Sequence, residues 1–353
     1  MNNMHTWFAT TSPGLEPVVQ RELALAETQC QLELGGVRFQ SSLSQGLSLC
    51  TSLRTPSRLL LELSRGQIKG IGDVGTLLNQ PDWSFLPKGI PFQLHISVQG
   101  SVLRKDIIQE KAKRVLKAIL KGAPLVQDPQ HIFLRLKKDK ATLSIDAGGE
   151  LLHRRGWRQE QGKASLRENW AASLLIMSGW EPEEPLLDPF CGSGTIPIEA
   201  ALIAANRSPF TRNTFAFQAW NGSVPLNPPS PSTPNTSIMG SDHHEASLVM
   251  AKNNAQRAGV TIEWTECDVS KITSPHSSGL VICNPPYGKR LGNNVLNTYK
   301  QAGKRLRNQF QGWRMLFLSP HQSLAKTLDQ RAELLTTFIN GGHRVGAWVL
   351  EEI

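Results

Sequence analysis

The carboxyl-terminal half of this 353-residue chain predicts an α/β domain with a mostly parallel sheet, and the amino-terminal half predicts two small α+β units. Three observations carry that reading. From residue 165 onward, short apolar runs alternate with longer helical patterns. One such run, Leu280-Val281-Ile282-Cys283, breaks at Asn284-Pro285-Pro286-Tyr287-Gly288. Two consecutive prolines fix φ and remove two backbone donors, so the chain must leave the strand there. Another run, Leu186-Leu187, enters Asp188-Pro189-Phe190-Cys191-Gly192-Ser193-Gly194-Thr195, a glycine-rich turn that opens a helix. Both breaks fall at the carboxyl ends of strands, where open α/β sheets bind ligands.

Taken in order, residues 6–10 read as a strand, Pro13-Gly14 as a turn and 15–26 as a helix with Leu15, Val18, Val19, Leu23 and Ala26 at helical spacing. Residues 32–39 form a hairpin about Gly35-Gly36, and 44–53 a helix. Arg54-Thr55-Pro56 closes this unit, which sets a first domain at 1–55. A second unit, 56–150, holds strands at 58–63 and 92–98, a helix at 73–78 and a hairpin of 132–136 with 142–145. Its clearest helix is 104–121. There Ile108, Ala112, Val115 and Ile119 share one face, and Lys113, Lys117 and Lys121 recur on another with Lys105, Lys111 and Arg114 nearby. Residues 151–164 are a linker in which His153, Arg154, Arg155 and Arg158 surround Gly156-Trp157. Arginines beside an aromatic suit phosphate contact and base stacking; the other reading is a packed strap between domains.

The remaining domain, 165–353, begins with a helix to 177 capped by Ser165, with Glu168 completing a capping box. Strand 186–187 and helix 196–205 follow, and five prolines in 222–237 mark a mobile loop. Strands at 237–240, 261–264, 280–283 and 314–318 alternate with helices at 245–258, 295–310 and 323–329. Strands 334–338 and 345–350 close the chain as an antiparallel edge.

Composition narrows the class. The net charge of +9 is uneven, with 21 Lys+Arg against 14 Asp+Glu in residues 1–160 and 17 against 15 beyond, so the first half is the expected polyanion-binding part. No apolar run reaches membrane-span length, and the first residues lack the pattern of a signal peptide. Cys30, Cys50, Cys191, Cys267 and Cys283 form no CxxC and no His/Cys cluster, which points to free thiols in a reducing, cytoplasmic setting and to no metal.

The Asn284-Pro285-Pro286-Tyr287 ledge suits transfer to a planar exocyclic amine, a poor nucleophile because its lone pair is delocalised. The Asn284 side-chain oxygen and the Pro285 carbonyl each accept one amine hydrogen in this reading, aiming the lone pair, while Tyr287 stacks on the ring. The turn at 188–195 has neither GxGxxG spacing nor the GK[ST] of a P-loop, which disfavours a nucleotide phosphate and a nicotinamide oxidoreductase. An acid facing a glycine-rich turn suits a zwitterionic ligand such as the methionine part of S-adenosylmethionine. Asp242, ending the next strand, suits ribose hydroxyls, and Asp268 suits the adenine amine; each also reads as a cap or turn residue. Phe190, Cys191, Ser193, Thr195, His243 and Asn284 complete the candidate cofactor set.

With DPFCGSGT, GSD, CDVS and NPPYG in this order, the last 190 or so residues resemble class I S-adenosylmethionine-dependent methyltransferases acting on amino nitrogens. FATTSPGLEPVVQREL, GGVRF, LHRRGWR and SLRENWAASLLIMSGW extend the resemblance to the THUMP-domain RNA methyltransferases that modify guanine N2. It implies a ferredoxin-like unit, a THUMP RNA-binding unit and a Rossmann-like seven-stranded methyltransferase domain. It implies cofactor contact by Asp188, Gly192, Gly194, Asp242 and Asp268, and amine handling by Asn284 and Pro285. It also places residues 163–168 over the methionine end of the cofactor. His244 departs from the family, which often has an acid there.

The expected activity is therefore methylation of a guanine N2 amine in RNA, foremost large-subunit (23S) ribosomal RNA, on free RNA or an assembly intermediate. A tRNA substrate is the runner-up, and Lys113, Lys117, Lys121, Arg154, Arg155 and Arg158 are the expected RNA contacts. The rivals are a protein-glutamine methyltransferase and a catalytically silent RNA-binding or ribosome-assembly factor.

Overall fold

The computed structural model describes every residue except 1–3, 122–128, 163–164, 213, 223–228, 234–235, 288–291 and 341–342, and the backbone alone of 292–294, 340 and 343. Two seven-stranded sheets organise the chain.

The first sheet takes β1 (Met4–Thr10), β2 (Cys30–Glu33), β3 (Gly36–Ser42), β4 (Arg58–Gln67), β5 (Phe92–Gln99), β6 (Gln130–Lys137) and β7 (Lys140–Asp146), in the order β2-β3-β1-β4-β7-β6-β5. Every pairing is antiparallel except β5 with β6. The join between β1 and β4, Trp7 opposite Leu61 and Thr10 opposite Arg58, makes one sheet of residues on both sides of the 55/56 boundary. Helices α1 (Glu16–Leu25), α2 (Leu43–Ser52), α3 (Ile71–Asn79) and α4 (Lys105–Leu120) cover it. Trp7 is fully buried under Gly46 of α2, where a Cβ would come within 2.2 Å of the indole, so only glycine lets this helix approach. On α4 the buried line is Ile108, Ala112, Leu116 and Leu120, with Val115 and Ile119 only partly covered. The face is rotated from the expected one because two large leucines outweigh β-branched neighbours against α3 and the sheet. Lys113, Arg114, Lys117 and Lys121 remain exposed.

The second sheet takes β8 (Leu186–Asp188), β9 (Ile238–Asp242), β10 (Glu263–Glu266), β11 (Gly279–Cys283), β12 (Trp313–Ser319), β13 (Glu333–Asn340) and β14 (His343–Leu350), in the order β10-β9-β8-β11-β12-β14-β13. β8 to β12 are mutually parallel, and β14 is antiparallel to both neighbours. Helices α5 (Glu168–Met177), α6 (Thr195–Ala204), α7 (Glu245–Ala258), α8 (Gly292–Gln309) and α9 (Gln322–Leu328) complete this half. The strand order turns back between β8 and β11, and both end at the same edge. α5 starts at Glu168, not at Ser165. The Ser165 hydroxyl donates to Gly162 O (3.0 Å), and the Glu168 carboxylate faces Arg158 (3.3 Å), so neither makes the expected capping box. Arg158 is a stronger partner for a buried carboxylate than a backbone amide. The mobility expected of the proline-rich stretch falls in part on residues 223–228 and 234–235, outside those described; Ser232 donates its N–H to Ala205 O, 2.8 Å away at the end of α6.

The two halves exchange segments. Leu15 and Val18, at the start of α1, are buried in the core of the second half. Phe210, Phe215, Phe217 and Trp220, after α6, are buried in the core of the first. The Trp220 indole donates to Gln130 Oε1 (2.7 Å), and Phe217 N–H to Ala147 O (3.0 Å). Between these segments lies the Arg155–Glu199 pair. Both side chains are fully buried; Arg155 Nε donates to Glu199 Oε1 (3.1 Å), Nη1 to Leu152 O (2.7 Å) and Nη2 to Arg54 O (2.5 Å). The other Glu199 oxygen faces Arg54 Nη1 at 3.7 Å. This decides between the two readings of the linker: at Arg155 it is a packed strap, and the expected RNA contact by this residue does not stand.

Arg155→Ala leaves a buried carboxylate facing only Arg54. It should lower stability by about 3–5 kcal/mol in urea unfolding, whereas Arg155→Met together with Glu199→Leu should cost less, because the charge then left without its carboxylate, Arg54, keeps hydrogen bonds to Leu202 O and Arg207 O. Equal effects for the single and the paired change would show that the strap depends on packing alone.

Candidate active site at the switch point

The edge where β8, β9 and β11 end borders a cavity of about 660 Å³. Its size is that of small-molecule sites. The turn after β8 supplies Asp188, Phe190, Cys191, Gly192, Ser193 and Thr195; the end of β9 supplies Asp242 and His243; Asp268 follows β10; and Asn284, Pro285, Pro286 and Tyr287 follow β11. Residues scattered over about a hundred positions thus converge because parallel strands all end on one side.

Each acid is held differently. Asp188 is 2% exposed, and its Oδ1 accepts from Phe190 N–H (3.0 Å). Burial, reinforced by the nearby Asp242 carboxylate, raises its pKa well above the usual carboxylate range. No Lys, Arg or His pairs with it among the described residues. A buried carboxylate in that state is poised for a cationic ligand group. Asp242 ties the rim together, accepting from Gly192 N–H (3.1 Å) and His244 N–H (3.0 Å). Asp268 is exposed and accepts from Ser270 N–H (2.9 Å); its bonds to Ser270 hold its pKa below the usual range, so it stays ionised. Both acids therefore serve as turn residues while also lining the cavity. His243 and His244 are exposed, their rings 3.7 Å apart.

The glycines divide the work. A Cβ on Gly192 (φ +53°) would project into open space, as a wall that admits a ligand requires. Gly194 stands behind the cavity wall formed by Gly192, Ser193 and Thr195. Its Cβ would meet Trp264 at 2.8 Å and Ala251 at 3.0 Å, so its role is to let the turn sit on that indole. The Cys191 and Cys283 thiols are buried, and burial raises their pKa, which leaves both inert; Cys191 lines the cavity, and Cys283 lies in the core beneath it.

The ledge itself is half-buried. Tyr287 packs against the core that contains Leu166 and Ile196. The Pro285 carbonyl accepts no backbone N–H among the described residues. Together these present a carboxamide, a carbonyl and a ring to the cavity, the elements needed to hold a planar amine. No group of His, Cys, Asp and Glu fit to hold a metal occurs among the described residues.

Of the residues expected over the cavity from 163–168, 163 and 164 lie outside those described, Ser165 and Leu166 line it, and Arg167 and Glu168 line a neighbouring cleft. Arg158 is mostly buried, donating to Thr195 Oγ1 (2.9 Å) and facing Glu168, so it props the glycine-rich turn and is not an RNA contact. Arg154 is exposed. Sequence reading missed Met250 and Ser247 of α7 and Thr298 and Gln301 of α8, which line the cavity from helix faces. It also missed Trp264, whose contact with Gly194 and Gly240 is made only in the fold.

Comparison with known proteins places this geometry. Residues 155–345 match the UPF0020 family, described as the RMKL-like methyltransferase domain, and residues 6–60 match the RlmL ferredoxin-like domain. A curated relative, ribosomal RNA large subunit methyltransferase K/L of Psychromonas ingrahamii, is 32% identical over 96% of this chain and 49% of its own length. The chain thus spans about half the length of that relative. Among solved structures, SMU.472 complexed with SAH superposes with a TM-score of 0.88 at 25% identity, covering 100% of this chain and 99% of the other. A methylase structure from Clostridium difficile 630 gives 0.84 at 26% identity, covering 99% of each chain. TrmN from Thermus thermophilus, 20% identical over 99% of this chain and 100% of its own, shares the fold at 0.79. With its family model matched across more than half of its length, the chain belongs to the UPF0020 family of RMKL-like methyltransferase domains.

Proposed function

We propose that this protein methylates the N2 amine of a guanine in large-subunit ribosomal RNA, using S-adenosylmethionine. The observation that carries the reading is the single cavity shared by the uncompensated Asp188 carboxylate and the Asn284-Pro285-Pro286-Tyr287 ledge. The first suits a cationic, zwitterionic cofactor, and the second suits a planar amine. The rRNA substrate is supported by the name of the curated relative and by the basic amino-terminal half. Five free thiols fit a reducing, cytoplasmic setting. No described helix is long and apolar enough to cross a membrane. A tRNA substrate would use the same chemistry.

S-adenosylmethionine, when bound, supplies an already activated methyl group, so no strong base is required. In this reading Asp188 is drawn to the ionised state by the cationic part of the cofactor, Asp242 accepts from ribose hydroxyls and Asp268 from the adenine amine. The Asn284 side-chain oxygen and the Pro285 carbonyl each accept one hydrogen of the guanine amine, turning its lone pair toward the methyl, and Tyr287 holds the base by stacking. A target base that starts in a stem must first be flipped, at about a few kcal/mol. Lys113, Lys117 and Lys121 on α4 lie on the basic half and hold phosphates of the RNA.

The test is methyl transfer from labelled cofactor to unmodified, size-fractionated RNA with nucleoside analysis. N2-methylguanosine in the large rRNA is expected; the same nucleoside in tRNA would move the substrate, and label in protein alone would overturn the reading. In that assay Asn284→Ala should cut turnover about a hundredfold or more, the scale of losing one transition-state hydrogen bond, with cofactor affinity near wild type. Unchanged turnover would remove Asn284 from the mechanism.

For Asp188 the sign is set by its raised pKa. The folded apo protein favours the neutral acid, so the ionised form destabilises it above the unfolded value of about 3.9 and stability falls as pH rises from there. Asp188→Asn should therefore raise the apo melting temperature at neutral pH and leave it unchanged below about pH 4. Cofactor affinity in wild type should rise with pH as Asp188 ionises, and calorimetry on the Asn variant should find weaker binding without that dependence. A lowered melting temperature would show that the carboxylate is already compensated.

Replacing Lys113, Lys117 and Lys121 with Ala should weaken RNA binding and flatten the dependence of log Kd on log salt by roughly 0.7–0.9 for each phosphate no longer neutralised. An unaltered slope would leave the stripe as a solvated face.

A further inference from the structure

Next to the cofactor cavity lies a second cleft, of about 570 Å³, and Ser165 lines both. Four guanidinium groups, those of Arg154, Arg155, Arg158 and Arg167, line it against two carboxylates, Glu150 and Glu168. The acids are already engaged: Glu168 by Arg158 (3.3 Å), and Glu150 by Arg154 (3.0 Å) and Arg212 (3.6 Å). Arg155 and Arg158 are committed to the strap and the glycine-rich turn. That leaves Arg167 and Arg154 facing solvent. Arg167 lies over the Trp170 ring at 5.3 Å and has no carboxylate partner among the described residues. Arg154 is held only by an exposed i,i+4 pair, a weak interaction that a phosphate readily replaces. His153 lines the same cleft, and its Nδ1 is buried with no hydrogen-bond partner among the described residues.

We propose that this cleft is a phosphodiester clamp in which Arg154, Arg167 and His153 hold the RNA backbone beside the nucleotide whose base enters the cavity. The inference rests on the RNA reading above and names the residues that place the target. Two exposed guanidiniums, one unpaired among the described residues and one in a weak exposed pair, suit bidentate phosphate contact, and a ring N–H suits a third phosphate oxygen or a ribose hydroxyl. Burial and the surrounding arginines, Arg167 foremost, push the His153 pKa down to about 3, so its ring is neutral and the positive field belongs to the guanidiniums. The clamp is separate from the α4 lysines, which lie on the other half of the molecule. It fixes one phosphate relative to the ledge, whereas a lysine stripe attracts RNA without setting register.

The experiment is RNA binding by the full chain, with a fragment of the large rRNA as probe, at several salt concentrations. Arg154→Gln with Arg167→Gln should weaken binding about tenfold or more and reduce the salt slope by roughly 0.7–0.9, the amount set by the one phosphate that both hold, with cofactor affinity and melting temperature unchanged. Arg154→Lys with Arg167→Lys should restore the slope but not the full affinity, since lysine lacks the planar fork. His153→Ala with retained melting temperature should weaken binding while leaving the slope as in wild type, because the group removed is a neutral donor. Unchanged affinity and slope in the Gln pair overturns the clamp, as does inorganic phosphate binding at the cleft that the Gln pair abolishes while RNA binding persists. The two readings fail apart from each other. Clamp-dependent RNA binding without methyl transfer would remove the activity and keep the clamp. Methyl transfer with RNA binding indifferent to these arginines would remove the clamp and keep the activity.

Discussion

A guanidinium with no access to water must find a partner for each nitrogen inside the protein, and Arg155 does so by reaching into three places at once. Its contacts to Glu199, Leu152 O and Arg54 O tie the helix behind the glycine-rich turn, the linker and the end of the first domain into one unit. Glu199 sits on α6, the helix that begins at Thr195, and Thr195 accepts from Arg158 of the same linker. The position of the cavity wall is thus coupled to the placement of the amino-terminal half. Breaking this contact leaves a charge buried in a medium that cannot solvate it, which is why the strap is packed at Arg155 where a linker of this composition reads as open.

The exchange of segments makes that coupling two-sided. Leu15 and Val18 complete the core of the second half, and Phe210 to Trp220 complete the core of the first. Gly14, with φ +99°, approaches the Thr337 carbonyl so closely that a Cβ would lie 2.2 Å from its oxygen, so a third contact reaches β13. The basic half is thereby held at a fixed distance from the ledge. Where a reaction needs no strong base, fixed positioning of this kind supplies much of the rate.

The site shows a division between residues that touch a ligand and residues that allow others to do so. Gly192 opens the wall, and Gly194 and Gly240 let Trp264 support it; a Cβ on Gly240 would sit 2.4 Å from that indole. Asp242 accepts two backbone N–H groups before it meets any ligand. Asp188 is the exception, since its environment penalises its own charge until a cation arrives.

The sequence by itself determined the class of the second half, the place of its two chain breaks and the acids at its strand ends. Those features are local: alternation, two adjacent prolines and a glycine-rich turn each restrict the backbone where they stand. The positions of Asp188, Asp242, Asp268 and Asn284 on one cavity also followed, because parallel strands bring their carboxyl ends together. Tertiary structure alone decided which arginines are buried. Arg154, Arg155, Arg158 and Arg167 are chemically alike in the linker and its continuation, and only the packing of Glu168 and Glu199 against two of them separates buried struts from exposed side chains. It alone also decided that Phe210, Phe215, Phe217 and Trp220 belong to the other half's core. Burial across a domain boundary leaves no periodic trace in the segment that makes it, since the surface it covers is built from residues far away in the chain.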